Sequence, residues 1–169
     1  MTPPRDAPVL RPGRAGDATA LTALALRSKA HWGYSDALLE LWRDELRFTP
    51  ASIAEQEVIV AEREGTLLGV VALSFDGDTA EVEHLWVDPS AMGAGVGRLL
   101  FARGVERARA WGVRRLVIDA DPNALGFYLR QGARRIGSVP ARPAGRTLPR
   151  LVVDLGGRGA PLDGGRIII

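Results

Sequence analysis

Three glycines at alternate positions, Gly93, Gly95 and Gly97, follow an apolar strand-like run and a proline-containing turn. They lead directly into a helix-forming segment, whose first backbone N–H groups have no partner within the helix. The partial positive charge at a helix N-terminus attracts anions, and the missing Cβ atoms let phosphate oxygens approach the backbone. Arg98 adds a side chain suited to charge-assisted contacts. The spacing therefore predicts a phosphate-binding loop, with a ligand-free connection between strand and helix as the alternative.

The residues around these glycines argue against two common nucleotide motifs. A P-loop requires a lysine after its last glycine, and none follows here. A dinucleotide-binding turn requires G-x-G-x-x-G, whereas this sequence is G-x-G-x-G followed by Arg98. Asp119 lies at a suitable separation for a ribose contact, but the hairpins predicted upstream do not fit βαβ crossovers. A phosphate ligand of another kind is therefore favoured.

Hydrophobic periodicity and turn residues predict the elements that position the loop. A first strand and two helices come first, the second helix ending at Thr49-Pro50 because the residue before a proline is pushed out of the helical region. Three antiparallel strands follow, with turns at Glu64-Gly65 and at residues 76–78. After the loop we expect an amphipathic helix ending at Gly112, a fifth strand, a short helix and two closing strands.

Composition removes several classes of function. The 169 residues suit one domain, predicted over residues 1–155 with a Gly-rich tail at 156–169. The net charge of +2 gives no reason to expect a nucleic-acid partner. The absence of cysteine excludes disulfides, thiolate zinc sites and a cysteine nucleophile, and no metal is expected. No apolar run reaches the ~20 residues of a membrane span and no signal peptide is evident, so no membrane partner and a cytoplasmic location are expected.

The order of elements and two motifs resemble the GNAT superfamily of N-acetyltransferases, which use acetyl-coenzyme A (acetyl-CoA). The motifs are LWVDPSAMGAGVGRLL at residues 85–100 and DADPNALGFYLRQGA at residues 119–133. The resemblance implies an α+β fold of the three-layer α/β kind. Its sheet would be mixed and mostly antiparallel, six- to seven-stranded, and flanked by about four helices. The phosphate ligand would then be the pyrophosphate of the coenzyme.

The resemblance also assigns coenzyme contacts. The backbone of Leu85–Val87 would pair with the pantetheine arm, and the Leu85 N–H would donate to the acetyl carbonyl. Where the family usually has Gln or Arg, this chain has Met92, so one polar contact to the pyrophosphate is missing. The family's Asn often lies seven residues before its Tyr; here Asn123 lies five before, and Asp121 holds the seventh place. The predicted coenzyme-binding residues are Leu85, Trp86, Val87, Gly93, Ala94, Gly95, Val96, Gly97, Arg98 and Asn123.

Acetyl transfer to an amine requires a base, a donor for the oxyanion and a group that stabilises the departing thiolate. Tyr128 stands where family members often direct a tyrosine at the coenzyme sulfur, and is predicted to be the acid; its alternative role is a core aromatic. Glu81 and Glu83 lie four and two residues before Leu85, both positions at which the family carries a base. Glu83 would be nearer the acetyl group, and a solvated pair of glutamates is the alternative. Strand alternation places His84 on the opposite face, where a structural role is expected.

In this family the acceptor cleft is walled partly by the first two helices and their connection, here KAHWGYSD. His31, Trp32 and Tyr34 are therefore predicted to contact the acceptor, with a purely structural role in joining the helices as the alternative. Arg142 and Arg146, in a later proline-rich segment, would suit an acceptor with an anionic group.

The sequence thus predicts an N-acetyltransferase that moves the acetyl group of acetyl-CoA to a primary amine of a small molecule, by direct transfer in a ternary complex. Three alternatives remain. They are a non-catalytic regulatory domain that binds coenzyme A, an acetyltransferase acting on protein or peptide amines, and an acyltransferase that uses a longer chain or forms an ester. Flat sheet edges and the terminal RIII are compatible with a homodimer.

Overall fold

Apart from one additional short helix before the second strand, the elements follow the predicted order in a computed structural model that describes residues 7–156. Seven strands and five α-helices lie within this range: β1 (Val9–Pro12), α1 (Ala18–Ala30), α2 (Asp36–Leu41), α3 (Pro50–Glu55), β2 (Glu57–Arg63), β3 (Thr66–Asp76), β4 (Thr79–Val87), α4 (Val96–Ala110), β5 (Arg115–Asp119), α5 (Leu125–Arg130), β6 (Arg134–Ala141) and β7 (Arg146–Asp154). None of the helices in this range is long and apolar enough to cross a membrane. The predicted tail, including RIII, lies outside the described residues from residue 157 onward.

The strands form one sheet in the order β1-β2-β3-β4-β5-β7-β6. β1 pairs with β2, β5 with β7 and β6 with β7, all antiparallel. β2, β3 and β4 follow one another through two-residue connections, which suit antiparallel neighbours. The exception is β4 with β5, which are parallel over Thr79–Glu81 and Arg115–Val117. The prediction of a mixed, mostly antiparallel sheet of six to seven strands is confirmed.

Contacts within the chain group the described residues into two compact units. The first unit contains residues 7–72 and 83–102, and its core packs Leu21 and Leu24 of α1 against Val60 of β2 and Val70 of β3. The second unit contains residues 73–82 and 103–156. Its fully buried side chains include Leu116 and Ile118 of β5 and Leu151 of β7.

The prediction of one long second helix ending at Thr49-Pro50 is wrong, since α2 ends at Leu41 and α3 begins at Pro50. Thr49 is the N-cap of α3. Its Oγ1 accepts a hydrogen bond from the Ser52 N–H at 3.0 Å, and the Ser52 Oγ accepts one from the Thr49 N–H at 3.0 Å. A residue before proline is disfavoured inside a helix but suits an extended N-cap, with the proline in the first turn. The same two residues therefore mark a helix start.

Gly69 in β3 is a point of close packing in the first unit. A Cβ placed there would lie 2.8 Å from Leu100 Cδ1 of α4 and 2.8 Å from the carbonyl oxygen of Trp86 in β4. We expect Gly69→Ala to lower the free energy of unfolding by about 1–3 kcal/mol, because the carbonyl is backbone and cannot rotate away.

Gly16→Ala is the matched control for this prediction, to be compared by urea unfolding. A Cβ at Gly16 would meet nothing within 4 Å, so its unfolding midpoint should stay close to that of the wild type. Equal midpoints for the two variants would contradict the packing argument.

Candidate active site

The glycine loop lies between the end of β4 and the start of α4. The Asp88 side chain caps a short 3-10 turn over Pro89–Ala91 by accepting a hydrogen bond from the Ser90 N–H at 3.0 Å. Gly93 and Gly95 then adopt φ values of +79° and +82°, in the left-handed region that favours glycine. A Cβ at either position would meet nothing within 4 Å. The backbone conformation therefore favours glycine, and the space beside it is open.

The first turn of α4 supplies the N–H groups that lie next to this open space. Val96, its first residue, is buried and anchors the helix, whereas Gly97 is half-buried and Arg98 is exposed. In an α-helix the first four N–H groups have no intrahelical acceptor, and the 15 residues of α4 align their dipoles behind them. The loop and this turn together can bind an anion such as a phosphate.

The end of β4 carries the remaining residues predicted to bind the coenzyme in the first unit. Leu85, Trp86 and Val87 are all half-buried, and β4 ends at Val87. Ala94 and Met92 lie in the loop itself, the first exposed and the second half-buried. The apolar Met92 therefore stands where the family usually offers a polar side chain.

The two candidate bases project from β4 on the same side. Glu81 and Glu83 are exposed, and His84 between them and Leu85 is buried, as strand alternation predicts. Arg150 makes two hydrogen bonds to Asp119, of 2.7 and 2.9 Å. These bonds, with a smaller contribution from the charge of Glu81, raise the pKa of Arg150 above its ordinary value. The guanidinium group of Arg150 therefore lies close enough to the Glu81 carboxylate to interact with it.

His84 packs in the interior of the first unit. Its Nδ1 accepts a hydrogen bond from Trp86 Nε1 at 3.0 Å, and its ring centroid lies 4.3 Å from that of Phe48. Burial lowers the pKa of His84 to about 4, so the imidazole is neutral near pH 7. These contacts fix the orientation of the Trp86 indole.

The three residues predicted to contact the acceptor, an acceptor patch of His31, Trp32 and Tyr34, divide into an exposed pair and a half-buried tyrosine. His31 and Trp32 are exposed, and their rings meet edge to face with centroids 5.6 Å apart. Tyr34 is half-buried and makes an edge-to-face contact with Trp42 at 4.9 Å. The pair can therefore contact an acceptor from the surface, while Tyr34 also belongs to the packing of α1 against α2.

Lys29 lies inside this packing, which sequence reasoning does not find. It is buried at the end of α1, with Nζ 5.0 Å from the ring centroid of Tyr34, 4.7 Å from that of Trp42 and 5.8 Å from that of Trp86. Such cation–π contacts stabilise a buried ammonium group. One feature of the sequence hints at this buried cluster: Lys29 is the only lysine among the 22 basic residues, and it stands in an aromatic-rich stretch.

Tyr128 lies in the second unit, where it is buried in α5. Burial, together with the nearby charge of Asp121, raises the pKa of Tyr128 well above its ordinary value. The phenol therefore remains protonated throughout the pH range in which an enzyme works. Such a group can donate a hydrogen bond but is unsuited to act as a base.

Asp121 organises the polar groups near Tyr128. Its Oδ1 accepts hydrogen bonds from the backbone N–H and the side-chain amide of Asn123, at 2.9 and 3.0 Å. Its Oδ2 lies 3.5 Å from Nη2 of Arg146, and only 8% of its side chain is exposed. Two predicted binding residues, Asn123 and Arg146, are thus engaged by the same carboxylate.

The predicted site residues are distributed over both units. The first unit carries the glycine loop, the end of β4 with Glu83, and the acceptor patch. The second carries Glu81, Asn123 and Tyr128. Among residues 7–156, no three histidine, aspartate or glutamate side chains are grouped so that they could hold a metal ion.

Comparisons with known proteins show what the chain is similar to. Residues 21–133 match the family model described as the Acetyltransferase (GNAT) family. The chain is 36% identical over 116 residues to the Blasticidin-S acetyltransferase of Streptomyces morookaense, a match that covers 65% of this chain and 85% of that relative.

Among the solved structures that share the fold, two serve as examples. The first is a GCN5-related N-acetyltransferase from Rhodopseudomonas palustris, with a TM-score of 0.73 and 23% identity over 91% of this chain and 99% of that one. The second is the PaiA N-acetyltransferase of Thermoplasma acidophilum in complex with coenzyme A, with a TM-score of 0.68 and 18% identity over 88% of this chain and 99% of that one.

Proposed function

The chain belongs to the GNAT family of acetyltransferases, and we propose that it transfers the acetyl group of acetyl-CoA directly to a primary amine of a small molecule, in a ternary complex. Membership makes it an acetyl-CoA-dependent acyltransferase. One observation carries the proposed site. Gly93 and Gly95 hold left-handed conformations beside open space at the N-terminus of the long helix α4.

We propose that backbone groups make most of the protein's contacts with the coenzyme. The N–H groups of the glycine loop and of the first turn of α4 would bind the pyrophosphate, since they are oriented by the fold and need no reorganisation. Arg98 is exposed next to them and would add a charge-assisted contact. The backbone of Leu85–Val87 would pair with the pantetheine arm. Asn123 is proposed as a further contact, made from the side chain that Asp121 already holds.

The acceptor amine must lose a proton before it attacks, because its pKa near ~10 leaves it mostly charged at neutral pH. We assign Glu83 as the base and Glu81 as the second candidate. Both are exposed, so either can act directly or through a water molecule. Glu83 is nearer in sequence to Leu85, and Glu81 additionally interacts with Arg150.

Glu83→Gln is expected to lower kcat/KM at neutral pH by about tenfold or more. The loss should shrink toward pH 10, because the acceptor amine there loses its proton to solvent without help from the protein. The measurement is kcat/KM against pH for the wild type and the variant at saturating acetyl-CoA. Glu81→Gln is the comparison variant, since it removes the same charge from the same strand and tests the second candidate base. A larger loss of kcat/KM in Glu81→Gln than in Glu83→Gln would identify Glu81 as the base. Little loss in either variant would contradict a base on β4.

Support for a small-molecule acceptor comes from the relative at 36% identity, which is named for its action on blasticidin S. The surface pair His31 and Trp32 and the half-buried Tyr34 are proposed to contact the acceptor. The arginine at 146 has its charge engaged by Asp121, so it gives no support for an anionic acceptor.

The direct test is release of free thiol from acetyl-CoA across a panel of amines that includes blasticidin S, free amino acids and a short peptide. Transfer to a small amine supports the proposal. Faster transfer to the peptide would favour a protein acceptor. Binding of coenzyme A without thiol release on any member of the panel would favour the regulatory-domain alternative.

A further inference from the structure

We propose that Arg27, in the last turn of α1, positions the glycine loop for coenzyme binding. This residue lies outside both family-like motifs and is not adjacent to the loop in sequence. The inference rests on the proposed binding of acetyl-CoA at that loop, and it adds a positioning residue on a different element of the first unit.

The contact is made to Asp88, the residue that follows β4. Nε and Nη2 of Arg27 both donate to Oδ2 of Asp88, at 3.0 and 2.6 Å. The other carboxylate oxygen, Oδ1, accepts from the backbone N–H and the Oγ of Ser90, at 3.0 and 2.7 Å. One oxygen therefore joins the turn to α1, and the other shapes the turn itself.

The backbone of Asp88 is held as well. Its N–H donates to the Leu68 carbonyl of β3 at 2.8 Å, and its carbonyl accepts from the Ala91 N–H at 2.8 Å. Burial by itself would raise the pKa of Asp88, but the hydrogen bonds from Arg27 and Ser90 hold it below its usual value. The carboxylate is therefore ionised near neutral pH and can keep both sets of contacts.

The turn over Pro89–Ala91 leads directly into the loop, so its orientation sets where the loop N–H groups point. Hydrogen bonds to a phosphate weaken quickly when distance or angle departs from the optimum. Loss of the Arg27 contact leaves Asp88 with Ser90 and Leu68 but without its link to α1. The turn then has more conformational freedom. Binding of the coenzyme must order the turn, and this ordering weakens the binding.

This role predicts a particular pattern of effects. The Arg27 side chain is 54% exposed, and a pair of this kind adds little to global stability. A looser loop weakens binding of the coenzyme but does not alter the reacting groups once the coenzyme is bound. KM for acetyl-CoA should therefore rise while kcat stays nearly constant.

The test compares Arg27→Gln with Arg43→Gln in the full chain. Arg43 is a close match, because its side chain is 53% exposed and its Nε donates to Glu40 at 2.7 Å. Calorimetric titration with coenzyme A should show a Kd raised about two- to fivefold in Arg27→Gln, and unchanged in Arg43→Gln. Thermal melts of the two variants should agree, and Arg27→Lys should recover part of the lost affinity.

Each outcome bears on a different claim. If the wild type binds coenzyme A and Arg27→Gln binds it equally well, the inference is overturned and the proposed function stands. An equal loss in Arg43→Gln also overturns the inference, since any surface arginine would then have the same effect. If the wild type itself does not bind coenzyme A, the proposed function fails and the inference fails with it.

Discussion

Replacing Tyr128 with phenylalanine is expected to lower kcat by about 10²-fold, with little change in the Kd for acetyl-CoA. Phenylalanine keeps the ring, including its edge-to-face contact with Phe127 at 5.1 Å, and removes only the hydroxyl group. A loss confined to kcat would mean that the hydroxyl acts in the transition state. We propose that it donates a hydrogen bond to the coenzyme sulfur as the thioester breaks.

The protonation of Tyr128 makes this role more specific. Its raised pKa lies far above that of a thiol, which is ~8.5. Complete transfer of the phenol proton to the thiolate is therefore unfavourable, whereas a hydrogen bond that strengthens as the sulfur becomes charged is favourable. It follows that kcat of the wild type should show no basic limb from this residue below about pH 10.

Tyr34→Phe is the natural comparison, because these are the only two tyrosines in the sequence. Loss of the Tyr34 hydroxyl is expected to change KM for the acceptor and to leave kcat unchanged. Thermal melts and coenzyme titrations of both variants separate folding from catalysis. If Tyr128→Phe kept kcat within about twofold of the wild type, Tyr128 would be a core aromatic and the thiolate would need another donor.

Local patterns explain why so much of the sheet and of the loop is predictable. Two-residue turns, strand alternation and a glycine run before an amphipathic helix each act over fewer than about ten residues. The alternation at β4 is an example, since it places Glu81 and Glu83 in solvent and His84 in the interior. At Thr49-Pro50 the local pattern fits both the end of one helix and the start of the next, and an end is predicted where the structure has a start.

Contacts between distant residues are the part that the sequence does not show. Arg27 and Asp88 are 61 positions apart, and no periodic pattern relates a helix terminus to a turn at that separation. The cluster around Lys29 is similar, because it joins the end of α1 to Trp42 and to Trp86 of β4. Asp121 is visible in the sequence only as a departure from the family pattern, and its contacts with Asn123 and Arg146 require the fold.

Gly95→Val is expected to raise the Kd for coenzyme A by about 10²-fold or more, because the loop would lose several charge-assisted hydrogen bonds. A side chain at this position has two effects. It strains a backbone held at φ +82°, and it fills the open space that we assign to the pyrophosphate. These effects must be separated before the result can support the proposed site.

Gly112→Val separates them. Gly112 has φ +77° at the end of α4, and a Cβ there also meets nothing within 4 Å, so the backbone strain is matched. Both variants should lose similar free energy of unfolding, of order 1–2 kcal/mol for a side chain in the left-handed region. Only Gly95→Val should lose affinity for coenzyme A in calorimetric titration.

If both variants retained wild-type affinity, the glycines would serve only to connect β4 to α4. Equal losses in both would mean that strain anywhere along α4 weakens binding. A loss confined to Gly95→Val assigns the effect to the space over the loop, because strain is common to the two variants.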